Sequence, residues 1–254
     1  MLVTLGLVVS VSLTALPDSR AALAAESPVG LGNAGSFAVL GGKTVTNAPT
    51  VINNANTTVS GDLGVSPGSA VTGFPPGIVT NGAIHKTDAL AALAQKDLTT
   101  AYDDAASRTP TQSGLVALDG KTLVPGVYSG GALSLSGTLT LNGSATSVFI
   151  FQATSTINAG TGSKVLLIGG ASPCNVFWQV ATSANIDTGA AFVGTVMALE
   201  SISAKTGATV SGRLLARNGA VTLDSNVITR PTACAVASVG TPATPVPGRA
   251  RFTG

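Results

Sequence analysis

The Thr-Gly pair at Thr188 returns at Thr206, and Gly194 of VGTVMAL returns as Gly212 of SGRLLAR, the same eighteen positions on in both cases. Between Thr161 and Thr188 the interval is longer by nine, and the extra positions fall around IGGASPCNV (168–176), which reads as a loop inserted at a corner. Gln152 and Gln179 each stand nine positions ahead of their Thr, and Met197 holds that place in the third copy. A unit this short, built from β-branched runs broken by Gly, Ser and Asn, cannot bury its own apolar side, so successive units must stack and share a core. The period fits one coil of a β-solenoid with three short faces, with glycines at the corners where positive φ is needed. Ile157, Ile202, Val165, Phe192 and Val210 are the expected inward positions.

Composition agrees with thin, regular layers. Aromatics make up 4% and charged residues 9%, while hydrophobics reach 44% and Gly numbers 31. That is too apolar and too weakly charged for a disordered chain. Mean hydropathy is +0.45, yet beyond the N-terminus Gly, Thr, Ser and Asn interrupt every apolar run before it reaches membrane-spanning length. One segment departs from the repeat. KTDALAALAQKDLTTAYDDAASR (86–108) places Leu90, Ala94, Leu98, Ala101, Tyr102 and Ala105 on one stripe at helical spacing, with Thr87 as expected N-cap and Asp88 in the first turn. The fold class expected is therefore all-β with one long helix lying along one face of the solenoid.

The termini read differently from the body. Residues 1–24 resemble a secretory signal: an apolar run from Leu2 to Leu16 precedes the small-residue pattern Ala22-Leu23-Ala24. No basic residue opens it, and a membrane anchor is the alternative. Residues 25–240 form the expected domain, and the Pro-rich stretch 241–254 reads as a tail or spacer. Cys174 and Cys234 suit an oxidising compartment, and a bridge between them, tying the inserted loop to the tail-proximal segment, is expected over two buried thiols.

Charge and motifs exclude several functions. The net charge of +2 includes Arg249 and Arg251 of the tail, so the body is near neutral and no phosphate-tracking surface is expected. GLGNAG (30–35) matches a dinucleotide fingerprint by letter, but no strand precedes it and SFAVL after it reads as strand. GVSPG (64–68) matches a nucleophile elbow around Ser66, but Pro67 has no N–H to donate to an oxyanion hole. His85 is the only histidine and reads as a loop residue before the helix. Asp103 and Asp104 are adjacent on a helix and cannot flank one bond. Asp62, Asp187 and Asp224 are scattered over different coils, and no cluster has metal-ligand spacing. Neither an enzyme, a cofactor nor a nucleic-acid partner is expected.

What remains is a surface. Stacked coils repeat outward residues about every 4.8 Å across strands and about every 6.5–7 Å along them. Outward Thr, Ser, Asn and Ala then make a grid whose Thr side chains are already oriented by restricted χ1. Such a grid suits a periodic partner such as crystalline ice, although Thr and Ser are also ordinary outward strand residues.

Longer motifs sharpen this. LGNAGSFAVLGG (31–42), SGDLGVSPGSAVTGFPPG (60–77), DLTTAYDDAASRT (97–109), LDGKTLVPGVYS (118–129), VFIFQ, CNVFWQV and TGATVSGRLLARNGAVTLD (206–224) together resemble the microbial ice-binding protein family with a discontinuous β-helix. The resemblance runs from about Leu31 to Arg230. It implies a right-handed, triangular β-helix with a helix packed alongside, and an N-terminal coil docked beside the C-terminal one. It also implies a cofactor-free protein that adsorbs to ice through one flat face and inhibits its growth or recrystallisation; with the signal-like segment, a secreted protein is expected. The alternative is a cell-surface structural or adhesive module on the same scaffold.

Some members of that family carry T-[A/G]-x-[T/N] on the ice-binding face. Thr206-Gly207-Ala208-Thr209 fits in full, whereas the runs starting at Thr161 and Thr188 fail at the fourth place. The candidate ice-contacting residues are Thr161, Thr188, Thr206 and Thr209 with Asn158, Asn185 and Ser203, in a monomer. Lys164, Asp187 and Lys205 lie close to them, and charge there predicts modest activity.

Overall fold

The computed structural model describes residues 26–49, 56–232 and 234. The signal segment (1–24) and the Pro-rich tail (241–254) lie outside the described residues.

Three ladders of parallel strands run the length of the molecule. The first joins the opening of Gly126–Leu135 to Phe149–Ala153, Val176–Val180, the second halves of Ala191–Ala198 and Thr209–Ala216, then Phe37–Gly41, Asp62–Val65 and Ile84–Lys86. The second joins the end of Gly126–Leu135 to Ile157–Ala159, Ala184–Ile186, Ile202–Ala204, Val221–Leu223, Thr44–Asn47 and Ala70–Thr72. The third runs from Thr122–Leu123 through Thr138–Asn142, Lys164–Ile168, the first parts of Ala191–Ala198 and Thr209–Ala216, Val227–Thr229 and Thr58–Ser60 to Ile78–Thr80. The result is a three-faced β-solenoid.

Register follows the repeat. Phe192 lies beside Val210 and Asn185 beside Ser203, one sequence period on in each case. Gln152, Gln179 and Met197 fall in one row, as their common offset from the Thr positions requires. The nine additional positions of the second coil leave the stack as a loop containing the short 3-10 turn Pro173–Asn175.

The stack is not in chain order. Phe37–Gly41 pairs with Thr209–Ala216, Thr44–Asn47 with Val221–Leu223, and Thr58–Ser60 with Val227–Thr229. Coils from the N-terminal part thus continue the solenoid beyond its C-terminal coil. From Ile84–Lys86 at that end, the chain must return to Gln112–Ala117 at the other. The helix α1 (Ala89–Ser107) makes the journey. Its 19 residues span about 28 Å at about 1.5 Å each, roughly six strand spacings.

Ala91, Ala94, Leu98, Ala101, Tyr102 and Ala105 form the buried stripe of α1. They pack on Leu40, Val127, Ile150, Phe177, Met197 and Leu215, the outward side of the first ladder. Alanines at four of the six positions let the helix axis come close to the sheet, and the long residues opposite fill the seam. The helix begins one residue later than expected. Thr87 has φ +52°, outside the N-cap range, and Asp88 is the cap, accepting the N–H of Ala91 at 2.8 Å. His85 is a strand residue of Ile84–Lys86 rather than a loop residue, and its Nδ1 lies 2.7 Å from Asp88 Oδ2.

Ile157, Ile202, Val165, Phe192 and Val210 all point inward and are buried. The interior also carries a column of rings: Tyr128 on Phe151, Phe151 on Trp178 with centroids 3.9 Å apart, and Trp178 on Phe192. The shorter coils that follow continue the column with Val196 and Leu214.

The disulfide joins Cys174, in the inserted loop, to Cys234.

Candidate functional site

The first face is occupied by α1, which leaves two faces open to solvent. They differ in width and in chemistry.

The second ladder presents a single outward file: Ser134, Asn158, Asn185, Ser203, Thr222, Thr46 and Thr72. Its strands are mostly three residues long, so each inner coil has room for only one outward side chain. Asn185 donates to the Asn158 side-chain oxygen at 2.9 Å, and Asn158 to the Thr156 hydroxyl. This face is narrow, polar and engaged with itself.

The third ladder is broader. Its first outward file reads Thr138, Lys164, Ala191, Thr209, Val227, Thr58 and Ile78, an unbroken register across seven strands. Six steps of about 4.8 Å make it roughly 29 Å long. Two residues further along each strand runs a second file, with Thr140 and Leu166 at one end and Val193, Ser211, Thr229, Ser60 and Thr80 at the other. Ile78, Leu166, Ile168 and Val227, all large and exposed, lie on this face. Lys164 is the one ionic side chain in these files. A shallow trough lined by Ala191, Val193, Thr209, Ser211, Val227 and Thr229 crosses the middle, because Ala191 is small.

Between the two open faces stands an edge made of the Thr-Gly corners. Gly162, Gly189 and Gly207 have φ of +68°, +66° and +70°, and a Cβ at any of them would meet no atom within 4 Å. It is therefore the left-handed backbone, and not crowding, that calls for glycine. The corners stack through backbone bonds: Gly162 N–H to Thr188 O and Gly189 N–H to Thr206 O, both 3.0 Å. The repeated Thr-Gly pair is a corner device.

The seven sequence candidates consequently do not share one plane. Thr209 lies in the first file of the broad face. Thr161, Thr188 and Thr206 stack along the edge, and the hydroxyl of Thr206 donates to the Asp224 carboxylate at 2.6 Å. Asn158, Asn185 and Ser203 belong to the narrow face. Asp187 and Lys205 form an ion pair of 2.7 Å at the edge, off both files of the broad face, while Lys164 stands within one. Thr138, Thr140, Ser211, Val227, Thr229, Thr58 and Thr80 are not among the sequence candidates. One repeat period on from Thr209 and Ser211 lie Val227 and Thr229, but Thr58 and Thr80 join only through the reordered stack.

Other groups singled out by sequence have structural partners. Asp104 pairs with Arg108 and Asp103 with Arg217. Within GLGNAG, Asn33 donates backbone and side-chain N–H groups to Asp97 on α1, each at 2.7 Å.

A family model described as Ice-binding-like matches residues 39–229 of this three-faced solenoid with its docked helix. The chain belongs to the ice-binding protein family. A Nostoc ice-binding protein is 46% identical over 205 residues, covering 78% of this chain and 72% of that one. A Colwellia ice-binding protein is 36% identical over 220 residues, 80% and 84% of the two chains. Among solved structures of the family, an ice-binding protein from an Antarctic biological consortium superposes with a TM-score of 0.76 at 44% identity, covering 82% of this chain and 93% of its own. One from the ascomycete Antarctomyces psychrotrophicus gives 0.75 at 37% identity, covering 82% and 100%.

Proposed function

We propose that the protein adsorbs to ice through the broad face and slows crystal growth or recrystallisation, without catalysis or a cofactor. The observation carrying this is a pair of outward files rich in Thr, Ser, Val and Ile, the first in register across seven strands with Lys164 as its one charge, the second in register across the five strands from Val193 to Thr80. A lattice plane is periodic in two directions, and the single Ser, Thr and Asn file of the narrow face supplies only one. Side chains fixed by the solenoid lose little freedom on contact, so weak contacts add. Methyls between the hydroxyls lower the cost of exchanging liquid hydration for an ordered layer.

The protein works outside the cell, a reading supported by the signal-like segment 1–24 and the Cys174–Cys234 disulfide. Among the described residues no helix is long and apolar enough to cross a membrane.

The test is thermal hysteresis and recrystallisation inhibition for the protein and three variants. Thr209→Tyr and Ser211→Tyr, in the middle of the broad face, should abolish most of the activity, whereas Asn185→Tyr on the narrow face should retain it. Loss only in Asn185→Tyr would move the site to the narrow face. Unfaceted growth and ordinary coarsening with the unaltered protein would leave the adhesive module as the better reading.

A further inference from the structure

Away from the ice-facing side, a cavity of about 600 Å³ opens between the N-terminal segment and the inserted loop. Its walls include Pro28, Val29, Leu31, Phe177 and Arg213, together with the Cys174–Cys234 bridge. Arg213 is 4% exposed. It follows Gly212 within Thr209–Ala216 and occupies the outward row of Phe177 and Thr195 on the first ladder.

The guanidinium is poorly matched for so buried a cation. Its Nε donates to Gly35 O at 3.1 Å and one terminal nitrogen to Thr195 Oγ1 at 3.3 Å, both neutral acceptors. No carboxylate among the described residues pairs with it. Burial, together with the nearby Arg230 cation, lowers its pKa to about 10. A buried guanidinium that keeps its charge calls for an anion, and its planar fork favours the two oxygens of a carboxylate.

We propose that this cavity is a binding site for a small aliphatic carboxylate, with the head group on Arg213 and the chain along Pro28, Val29, Leu31 and Phe177. The volume is in the range of small-molecule sites, and apolar walls around a single fixed charge are their usual make-up. The proposal is independent of ice adsorption.

Sodium octanoate is the probe, with 1-octanol and sodium sulfate as the controls lacking the head group and the chain. Calorimetric titration of the protein should give saturable 1:1 binding of octanoate, at least tenfold weaker for either control. Arg213→Met should weaken octanoate at least tenfold. Gly30→Phe should block the site without touching Arg213 or the core, since a Cβ at Gly30 meets no atom within 4 Å. Amide shifts on titration should centre on Gly30, Leu31, Gly35 and Arg213. No saturable binding by the unaltered protein, equal binding of octanol, unchanged affinity in Gly30→Phe, or shifts centred elsewhere would each overturn the assignment. Should Arg213→Met fail to fold, Gly30→Phe and the shift map decide.

Discussion

Gln152 donates from Nε2 to the main-chain oxygen of Arg108 at 2.7 Å, and to that of Ala105 at 2.8 Å. The side chain thereby ties off carbonyls that the end of α1 leaves without helical partners. One coil along, Gln179 donates to the Tyr102 hydroxyl at 2.7 Å. Gln152→Leu strands these buried acceptors and should cost about 1–3 kcal/mol. Urea unfolding followed by circular dichroism measures it. Ice shaping below the midpoint should be unchanged, because Gln152 lies beneath the helix.

Lys164 interrupts the first file between Thr138 and Ala191. Its ammonium holds water in an arrangement set by the charge and not by a crystal. Lys164→Thr should raise thermal hysteresis while leaving stability within about 0.5 kcal/mol, as expected of an exposed substitution. Nanolitre osmometry compares the two proteins at matched concentration, and equal activity would count against Lys164 lying in the contact area.

Gly189 sits at φ +66° in a corner with open space beyond it. Gly189→Ala should therefore destabilise by about 1–2 kcal/mol through backbone conformation alone. A thermal melt reads the loss. A neutral result would mean that the corner relaxes out of the left-handed region.

Acid should loosen the attachment of the N-terminal segment to α1. The Asn33 backbone N–H, then its side-chain amide, hold the Asp97 carboxyl below its ordinary value of 3.8. The Ala91 N–H and His85 do the same for Asp88. A carboxyl whose folded pKa is depressed contributes stability above its unfolded pKa, and that contribution fades as pH falls through the folded value. Melting temperature should decline from about pH 5 to about pH 3, and less steeply in Asp97→Asn. Equal slopes would shift the effect to other carboxylates.

The solenoid was legible because its signals are local and repeated. The recurring Thr-Gly step, the alternation around Phe192 and Val210, and the stripe on α1 each follow from the residues in a single window. The matching offsets of Gln152 and Gln179 reveal the register but not their purpose, which depends on a helix far earlier in the chain. The proposed contact face was harder to read from sequence for the same reason. Thr206 and Thr209 are close neighbours in sequence, yet a corner separates them, with Thr206 on the edge and Thr209 on the face. Thr58 and Ile78 enter the file only because N-terminal coils stack on the C-terminal one, and no local pattern encodes that meeting.

The return path of α1 sets how large this molecule can grow. Because the helix must bridge the solenoid from Ile84–Lys86 back to Gln112–Ala117, inserting one more coil between Thr138 and Thr209 would demand about three further helical residues to keep both junctions closed. A simple duplication of a single coil would tear the chain from one end of its own stack. The area of the broad face is thus rationed by a segment that lies on another face, and enlarging it means lengthening two distant stretches of gene together.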